Sequence, residues 1–253
     1  MAAGTRFDGR TAIVTGAASG IGRATALRLA ADGAHVGCLD QAEAVEETVA
    51  QIRSAGGTAT AANVDVRHED SVGAAVAAVE KEFGPTRILA NVAGVLRFGH
   101  THEMAVSDWD LLIDVNLKGP FLMARAVIPS MLANGGGVIT NVASSAGMFG
   151  QAFMAHYCAS KGGVVLMTKS LAWEYLKRDI RVNAISPSGV ATPMTRRVDF
   201  PEGIDFGLIA KTMAVDNKML SPEEPAALIA FLSSDEASAI NGAVIPIDHA
   251  VTA

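Results

Sequence analysis

Tyr157 and Lys161 lie four residues apart in a stretch with helical spacing, so the two side chains share one face of a predicted helix. A phenol with a pKa near 10 is a weak base at neutral pH, and a nearby ammonium favours the phenolate. Lowering the pKa by about 2–3 units, to about 7–8, corresponds to about 3–4 kcal/mol. The pair predicts a tyrosine that exchanges a proton with a substrate. An ordinary Tyr–Lys pair on a helix surface has the same spacing.

A glycine-rich turn occupies Thr15–Gly22, between the first predicted strand and the first predicted helix. Gly16 permits a tight turn, Gly20 leaves room for a pyrophosphate, and Gly22 lets helix and strand pack closely. The N–H groups that open the helix attract phosphate, which predicts a dinucleotide site at this turn. An ordinary strand–helix turn is the alternative.

Asp40 ends the second predicted strand, roughly 20 residues beyond the turn. A carboxylate there accepts hydrogen bonds from ribose hydroxyls and repels a 2′-phosphate, and the neighbouring Gln41 and Ser19 are neutral. The sequence therefore favours NAD over NADP. A helix N-cap is the other interpretation of Asp40.

Short apolar runs alternate with amphipathic stretches along the chain. The runs rich in Val, Ile, Ala and Thr predict strands buried on both faces, at Thr11–Val14, His35–Leu39, Thr58–Val64, Arg87–Val92, Gly137–Val142, Arg181–Ile185 and Ala243–Ile247. The stretches with helical spacing predict helices at Ile21–Ala31, Val45–Ile52, Val72–Phe83, Trp109–Leu132, Met154–Leu176 and Pro225–Leu232. Such strand–helix–strand units predict an α/β fold: one domain over residues 1–253, with a doubly wound, parallel, seven-stranded sheet and helices on both faces.

The composition excludes several other classes of protein. The chain has 253 residues, of which 50% are hydrophobic and 18% charged, with a net charge of −6, so it is neither disordered nor suited to non-specific nucleic-acid binding. Two cysteines cannot form a disulfide framework. The N-terminal residues lack the order of a secretory signal, and polar residues interrupt the uncharged stretch Ala126–Ser160 too often for a membrane span. We expect a cytoplasmic protein with no nucleic-acid or membrane partner.

Several motifs occur together in a fixed order, and they are Thr-Gly-x-x-x-Gly-x-Gly at Thr15–Gly22, Asn-Val-Ala-Gly at Asn91–Gly94, Asn116, Ser144 thirteen residues before Tyr157, Tyr-x-x-x-Lys at Tyr157–Lys161, and Arg181–Pro187. With them the chain resembles the short-chain dehydrogenase/reductase family over essentially its whole length. The resemblance implies a Rossmann-like fold and a catalytic tetrad of Asn116, Ser144, Tyr157 and Lys161. In that tetrad Tyr157 is the general acid or base, and Ser144 steadies charge on the substrate oxygen. Lys161 lowers the Tyr157 pKa and holds the nicotinamide ribose, while Asn116 supports a water that links Lys161 to solvent.

The same resemblance implies the contacts to the cofactor. Asp65 and Val66 contact adenine, Asn91 and Ala93 line the ribose side, and residues after Pro187 hold the carboxamide. The full predicted set is Gly16, Ser19, Gly20, Ile21, Gly22, Asp40, Asp65, Val66, Asn91, Ala93, Tyr157, Lys161, Pro187, Val190 and Thr192.

The chain departs from the family pattern at Val92, Ser188 and His249. Ser188 replaces a usual glycine and could alter the turn over the nicotinamide, while His249 could contact a neighbouring subunit or the substrate mouth. None of the three removes a catalytic group. No metal is expected, because the loop His100–Glu103 offers no third ligand. Cys158 is interpreted as a small helix residue.

Residues 190–220 are expected to form an active-site lid. Its apolar side chains, Met194, Phe200, Phe206, Leu208, Ile209 and Met213, indicate an apolar substrate, although lids are also apolar because they pack. Leu96, Phe98, Phe149, Phe153 and Met154 are expected near the pocket. Arg196 and Arg197 are interpreted as surface charges or as contacts for an anionic group. The resemblance also implies a homotetramer built partly from the two longest predicted helices.

The sequence thus predicts an NAD-dependent oxidoreductase that interconverts a secondary alcohol and a ketone. One alternative is a 3-oxoacyl thioester (acyl-carrier-protein) reductase that uses NADPH, and Asp40 counts against it. A more distant alternative is a nucleotide-binding sensor without turnover, and the intact tetrad counts against that. The substrate itself lies beyond the sequence, because specificity depends on the shape of lid and pocket.

Overall fold

A parallel sheet organises the chain in this computed structural model, which describes residues 6–196, 198–210, 213 and 218–253. Its strands are β1 (Thr11–Thr15), β2 (His35–Asp40), β3 (Thr58–Asn63), β4 (Thr86–Asn91), β5 (Gly137–Val142), β6 (Ile180–Pro187) and β7 (Val244–Ile247). Within the described residues they form one seven-stranded sheet in the order β3-β2-β1-β4-β5-β6-β7, and every neighbouring pair is parallel. The predicted fold class is confirmed.

Helices connect the strands. They are α1 (Gly20–Ala31), α2 (Val45–Ser54), α3 (Glu69–Phe83), α4 (Val106–Ile113), α5 (Gly119–Ala133), α6 (Ala155–Glu174), α7 (Pro193–Arg196), α8 (Phe206–Ala210) and α9 (Glu223–Ser233). Helices α1, α2 and α9 pack on one face of the sheet, and α3, α5 and α6 pack on the other. None of the helices described is long and apolar enough to cross a membrane.

The central strands are buried on both faces, as their unbroken apolar runs predicted. In β1, Ala12 and Val14 join the core beneath α1 and α9, while Ile13 joins the core beneath α3 and α5. The prediction of full burial is wrong for the outermost strands β3 and β7, most of whose residues are partly exposed. Each of these has a neighbouring strand on one side only, so its side chains meet fewer neighbours.

A crevice opens where the strand order reverses, because β1 has β2 on one side and β4 on the other. The Thr15 hydroxyl oxygen, at the end of β1, accepts hydrogen bonds from the backbone N–H groups of Val92 (3.0 Å) and Ala93 (3.1 Å), just after β4. This contact fixes the two strand ends beside each other and sets the floor of the crevice.

A π-helical turn, Asp114–Lys118, interrupts the helix predicted over Trp109–Leu132. The sequence pattern gives an apolar face but does not reveal the wider turn, since both kinds of helix bury the same kinds of residue. Asn116 lies within the turn and is fully buried. Single π turns inside α-helices are frequent at functional sites, which fits the tetrad position implied for Asn116.

Candidate active site

A cavity of about 640 Å³ lies at the carboxyl ends of the strands. It extends from the glycine turn and Asp40 to Ser144, Tyr157 and Lys161. Every predicted cofactor residue lines it except Asn91, and the set that does comprises Gly16, Ser19, Gly20, Ile21, Gly22, Asp40, Asp65, Val66, Ala93, Tyr157, Lys161, Pro187, Val190 and Thr192. The topology therefore brings together residues from the ends of β1 to β6.

Ser144 and Tyr157 meet at one end of this cavity. Ser144 follows β5 and caps the short 3₁₀ turn Ser145–Gly147, whose Ala146 N–H donates to the Ser144 hydroxyl oxygen at 3.1 Å. Tyr157 lines the same end of the cavity, near enough for the Ser144 side chain to lower the pKa of the phenol. Lys161 lies one helical turn after Tyr157, with its ammonium nitrogen 5.8 Å from the centre of the tyrosine ring. Two hydroxyls and an ammonium thus lie together at this end of the cavity.

Burial dominates the acidity of this cluster. Burial raises the pKa of Tyr157 to about 12, and the Ser144 side chain only partly opposes that rise. Burial also lowers the pKa of Lys161 to about 8. Lys161 does not oppose the rise in the Tyr157 pKa, because its ammonium donates to the Val142 carbonyl oxygen at 2.8 Å and burial dominates both side chains. The lowering of the Tyr157 pKa by Lys161 together with a bound nicotinamide stays a prediction.

Asn116 does not line the cavity, and the Val95 backbone engages both ends of its amide. Its Oδ1 accepts from the Val95 N–H at 2.8 Å, and its Nδ2 donates to the Val95 carbonyl at 2.9 Å. A Cβ atom on Gly94 would lie 3.2 Å from Asn116 Oδ1 and 3.7 Å from Lys161 Nζ, so Gly94 lies between the two side chains. The Asn116 amide therefore positions the loop after β4 and, through that loop, the wall beside Lys161.

The glycine turn fits a dinucleotide. Gly16 has φ +70°, and a Cβ atom there would lie 2.9 Å from the Ala93 Cα. A Cβ atom on Gly22 would lie 2.0 Å from the Gly16 carbonyl oxygen, so helix and turn are in direct backbone contact. At the start of α1, the Ser19 side chain makes no capping hydrogen bond, and the first turn has no acidic residue. Its N–H groups thus remain available to a phosphate.

Asp40 lies where the sequence predicted, at the end of β2 and in the cavity wall. Its two carboxylate oxygens accept from the Ala18 and Ala42 N–H groups, each at 3.0 Å. The N-cap interpretation is wrong, because α2 begins at Val45 and its N-cap residue is Ala44. The carboxylate is held by the turn itself.

Asp65 and Asn91, two further predicted cofactor contacts, lie in different surroundings. Asp65 lines the cavity, and the Arg67 guanidinium lowers the pKa of its carboxyl to about 2 through hydrogen bonds of 2.6–3.1 Å. Asn91 is a correction. Its side chain turns into the core, where its Nδ2 donates to Asn141 Oδ1 at 2.9 Å, and Asn141 Nδ2 donates to the Thr168 hydroxyl at 2.9 Å. The signal for this missed network was an asparagine in each of two neighbouring buried strands.

Some of the apolar side chains expected near the pocket line the cavity, and others do not. Leu96, Phe98 and Met154 line the cavity. Phe149 and Phe153 do not, and the ring of Phe153 packs instead against His100, 5.2 Å between centroids.

The segment expected to be a lid leaves and rejoins the fold at one place, where Val190 and Leu220 form a parallel β-bridge. Of the six apolar side chains named for the lid, four line the cavity, namely Met194, Phe200, Ile209 and Met213. Phe200 lies 4.9 Å from Phe98 between ring centroids, which ties the segment to the loop after β4. Phe206 packs against Phe200 outside the cavity, and Leu208 is exposed. Arg196 is exposed, and Arg197 lies outside the described residues.

The departures from the family pattern are also located. Ser188 lines the cavity, with its hydroxyl oxygen buried and without a hydrogen-bond partner among the described residues. His249 is exposed and away from the cavity wall. Two other residues considered in the sequence are also located. The ring of His100 contacts the Glu202 carbonyl oxygen at 3.0 Å. Burial raises the pKa of the Cys158 thiol.

Comparison with known proteins agrees with this geometry. The model of the short chain dehydrogenase family matches residues 10–202, which is most of the chain. The chain belongs to the short-chain dehydrogenases. As a member it is an oxidoreductase that acts on CH–OH groups with a nicotinamide dinucleotide.

Three curated relatives of this short-chain dehydrogenase cover nearly its whole length. D-threitol dehydrogenase of Mycolicibacterium smegmatis is 43% identical, over 98% of this chain and 94% of the relative. The 3-oxoacyl-[acyl-carrier-protein] reductase FabG of Thermotoga maritima is 38% identical, over 96% and 98%. Cyclohexanol dehydrogenase of an Acinetobacter species is 36% identical, over 98% and 96%. Among solved structures, the crystal structure of gox2181 has a TM-score of 0.89 and 34% identity, and the match covers 98% of this chain and 97% of that one.

Proposed function

We propose that this short-chain dehydrogenase is NAD-dependent and interconverts a secondary alcohol and a ketone, with Ser144, Tyr157 and Lys161 as its catalytic residues. The observation that carries the proposal is that one cavity has the Ser144 and Tyr157 hydroxyls at one end and Asp40 at the other. One cavity therefore joins a proton-transfer site to a nucleotide site.

Each catalytic group has a distinct role in this scheme. The substrate oxygen accepts a hydrogen bond from Ser144 while Tyr157 removes its proton during oxidation, or returns one during reduction. A bound nicotinamide supplies the acceptor or donor for the hydride of the carbinol carbon. Lys161 contributes a buried ammonium beside the tyrosine and a donor for the nicotinamide ribose. Ser144 stabilises the negative charge that develops on the substrate oxygen.

Asp40 supports the preference for NAD. Because its oxygens already accept two backbone N–H groups, the carboxylate is fixed in place at the adenosine end. A 2′-phosphate would meet this negative charge, whereas ribose hydroxyls can donate to its remaining lone pairs. Arg67, the guanidinium that also lines this end, is engaged by Asp65.

The segment from Val190 to Leu220 is proposed as the lid, and its apolar lining supports a substrate with an apolar body. The cavity that it covers is lined in part by Phe98, Phe200 and Met154, whose side chains favour contact with the carbon atoms of a substrate. Removing water from the hydroxyl pair strengthens the interactions that stabilise charge there.

Association into a homotetramer is also proposed. Large apolar side chains are 41–81% exposed along α4, α5 and α6, namely Val106, Trp109, Phe121, Leu166 and Trp173. A helical surface of this kind supports contact between copies of the chain. Light scattering after size-exclusion chromatography would give four times the 26.1 kDa chain mass if the proposal is correct, and the chain mass itself if it is wrong.

The nearest competing function is reduction of a 3-oxoacyl thioester with NADPH, which the similarity to FabG favours. The deciding experiment is a steady-state panel on the purified protein with NAD⁺ and NADP⁺ against cyclohexanol and butan-2-ol, and with NADH and NADPH against cyclohexanone and acetoacetyl thioesters. The proposal predicts faster turnover of the alcohol and ketone pairs, with NAD⁺ or NADH preferred at least tenfold. A preference for NADPH with the thioesters would instead identify the protein as a 3-oxoacyl thioester reductase.

A further inference from the structure

Gln151 is a polar side chain of the cavity wall that the proposed chemistry does not use. It lies in the loop between the Ser145–Gly147 turn and α6, and it lines the cavity together with Leu96, Phe98 and Met154. A polar group among apolar neighbours in a binding pocket usually fixes the orientation of a ligand.

The position of Gln151 is fixed from two directions. Its side-chain Nε2 donates to the Ser145 hydroxyl oxygen at 3.2 Å, and Ser145 is itself buried. Its backbone N–H donates to the Cys158 sulfur at 3.4 Å. Because Ser145 follows Ser144 and Cys158 follows Tyr157, both anchors adjoin the hydroxyl pair. Gln151 is therefore anchored beside the two residues that carry the hydroxyl pair.

The other end of the carboxamide has no hydrogen-bond partner among the described residues. Gln151 Oε1 accepts no hydrogen bond from any residue that the structure describes. An amide oxygen has two lone pairs, and a site built to hydrogen-bond a hydroxyl discriminates against ligands that lack one. Gln151 lines the same cavity as Ser144 and Tyr157, so its amide oxygen is available to a substrate bound there.

We propose that Gln151 is a specificity-determining residue that accepts a hydrogen bond from a second substrate hydroxyl, carried by the carbon next to the reacting carbinol. The preferred substrates are then vicinal diols, and the products are the corresponding α-hydroxy ketones. One carbinol loses its hydride and its proton, while the second hydroxyl stays intact and donates to Gln151. This inference rests on the proposed secondary-alcohol activity and narrows it.

The test compares alcohols that differ by one hydroxyl. The pairs are butane-2,3-diol with butan-2-ol, and cis-cyclohexane-1,2-diol with cyclohexanol. For each, kcat/KM is measured for the wild type, for Gln151→Met, which removes the acceptor, and for Gln151→Glu, which keeps one. Gln51→Met changes an exposed glutamine on α2 and serves as the matched control.

The wild type is expected to favour each diol at least tenfold. Gln151→Met lowers kcat/KM for the diols by roughly 10- to 100-fold, the range for one lost hydrogen bond, and leaves the mono-alcohols within about threefold. Gln151→Glu keeps the diol preference, and Gln51→Met changes neither substrate class.

Two results would overturn the inference while leaving the alcohol activity standing. One is a wild type that oxidises both members of each pair equally well. The other is a Gln151→Met variant that slows diols and mono-alcohols by the same factor, as a merely structural role would. A wild type that oxidises none of the four alcohols with either nucleotide would instead refute the proposed function, and this inference with it.

Discussion

The ammonium nitrogen of Lys161 donates a 2.8 Å hydrogen bond to the carbonyl oxygen of Val142, the last residue of β5. Val142 lies two residues before Ser144, so this contact ties the helix that carries Tyr157 to the strand end that carries Ser144. Lys161 is only 4% exposed, and no carboxylate pairs with it in the described part of the chain. A buried, unpaired ammonium lowers the stability of the folded protein, and this cost is measurable.

The pH dependence of stability reports that cost directly. Burial lowers the pKa of Lys161 from 10.5 to about 8, so between these values the unfolded chain binds more protons than the folded one. The free energy of unfolding therefore rises with pH from about 8 to about 10.5, by up to roughly 3 kcal/mol from this residue. In Lys161→Met this contribution disappears. Urea unfolding at pH 7, 8, 9 and 10 measures it.

Lys169→Met is the control for that series, because Lys169 is exposed on the same helix. It should keep the rise seen in the wild type. An equal rise in Lys161→Met would contradict a buried ammonium at position 161.

A second prediction concerns the backbone contact between Gly22 and Gly16. The Cβ atom of Gly22→Ala would lie 2.0 Å from the Gly16 carbonyl oxygen, and neither backbone segment can yield without moving the turn. We expect a loss of about 3 kcal/mol or more in the free energy of unfolding, together with weaker dinucleotide binding. Denaturant unfolding and NADH titration measure the two effects.

Gly73→Ala is the matched control for Gly22→Ala. Gly73 lies inside α3, and a Cβ atom there would have no neighbour within 4 Å. Because alanine favours helix over glycine, this variant should gain up to about 1 kcal/mol. If both variants had the same free energy of unfolding, the close contact at Gly22 would not contribute to stability.

The fold and most of the cavity could be predicted because their signals are local. Buried parallel strands read as short apolar runs, and glycine spacing marks the turn after β1, so Gly16, Gly22 and Asp40 lie where the sequence indicated. The side chains after each strand followed from topology, since the carboxyl ends of parallel strands meet at one edge.

The remaining features depend on three-dimensional packing. Asn91 faces Asn141 across two strands that are about 50 residues apart in sequence, so its inward orientation has no local signal. The π turn at Asn116 preserves the apolar pattern of a helix. The pKa of Tyr157 depends on the desolvation of its hydroxyl, which tertiary packing sets and the periodicity does not give.

Nucleotide choice gives a third prediction, centred on Asp40. Asp40→Ala removes the charge that opposes a 2′-phosphate and the acceptor for the ribose hydroxyls. The ratio of the Kd values for NADPH and NADH should fall by at least about tenfold, measured by fluorescence titration at fixed salt. Asp110→Ala, at an exposed position on α4, should leave the ratio unchanged. A wild type that binds NADPH as tightly as NADH would exclude this role for Asp40.

The most direct test of the proposed chemistry is a comparison of Tyr157→Phe with Tyr175→Phe, the two tyrosines of the chain. Turnover of the best secondary alcohol and the Kd for NADH are measured on the same preparations. We expect Tyr157→Phe to lose about 10³-fold or more in kcat/KM while its NADH affinity stays within about threefold of wild type, because the phenol transfers the proton. Tyr175→Phe should keep both. A Tyr157→Phe variant that retained more than about a tenth of wild-type turnover would contradict the assignment of Tyr157 as acid and base.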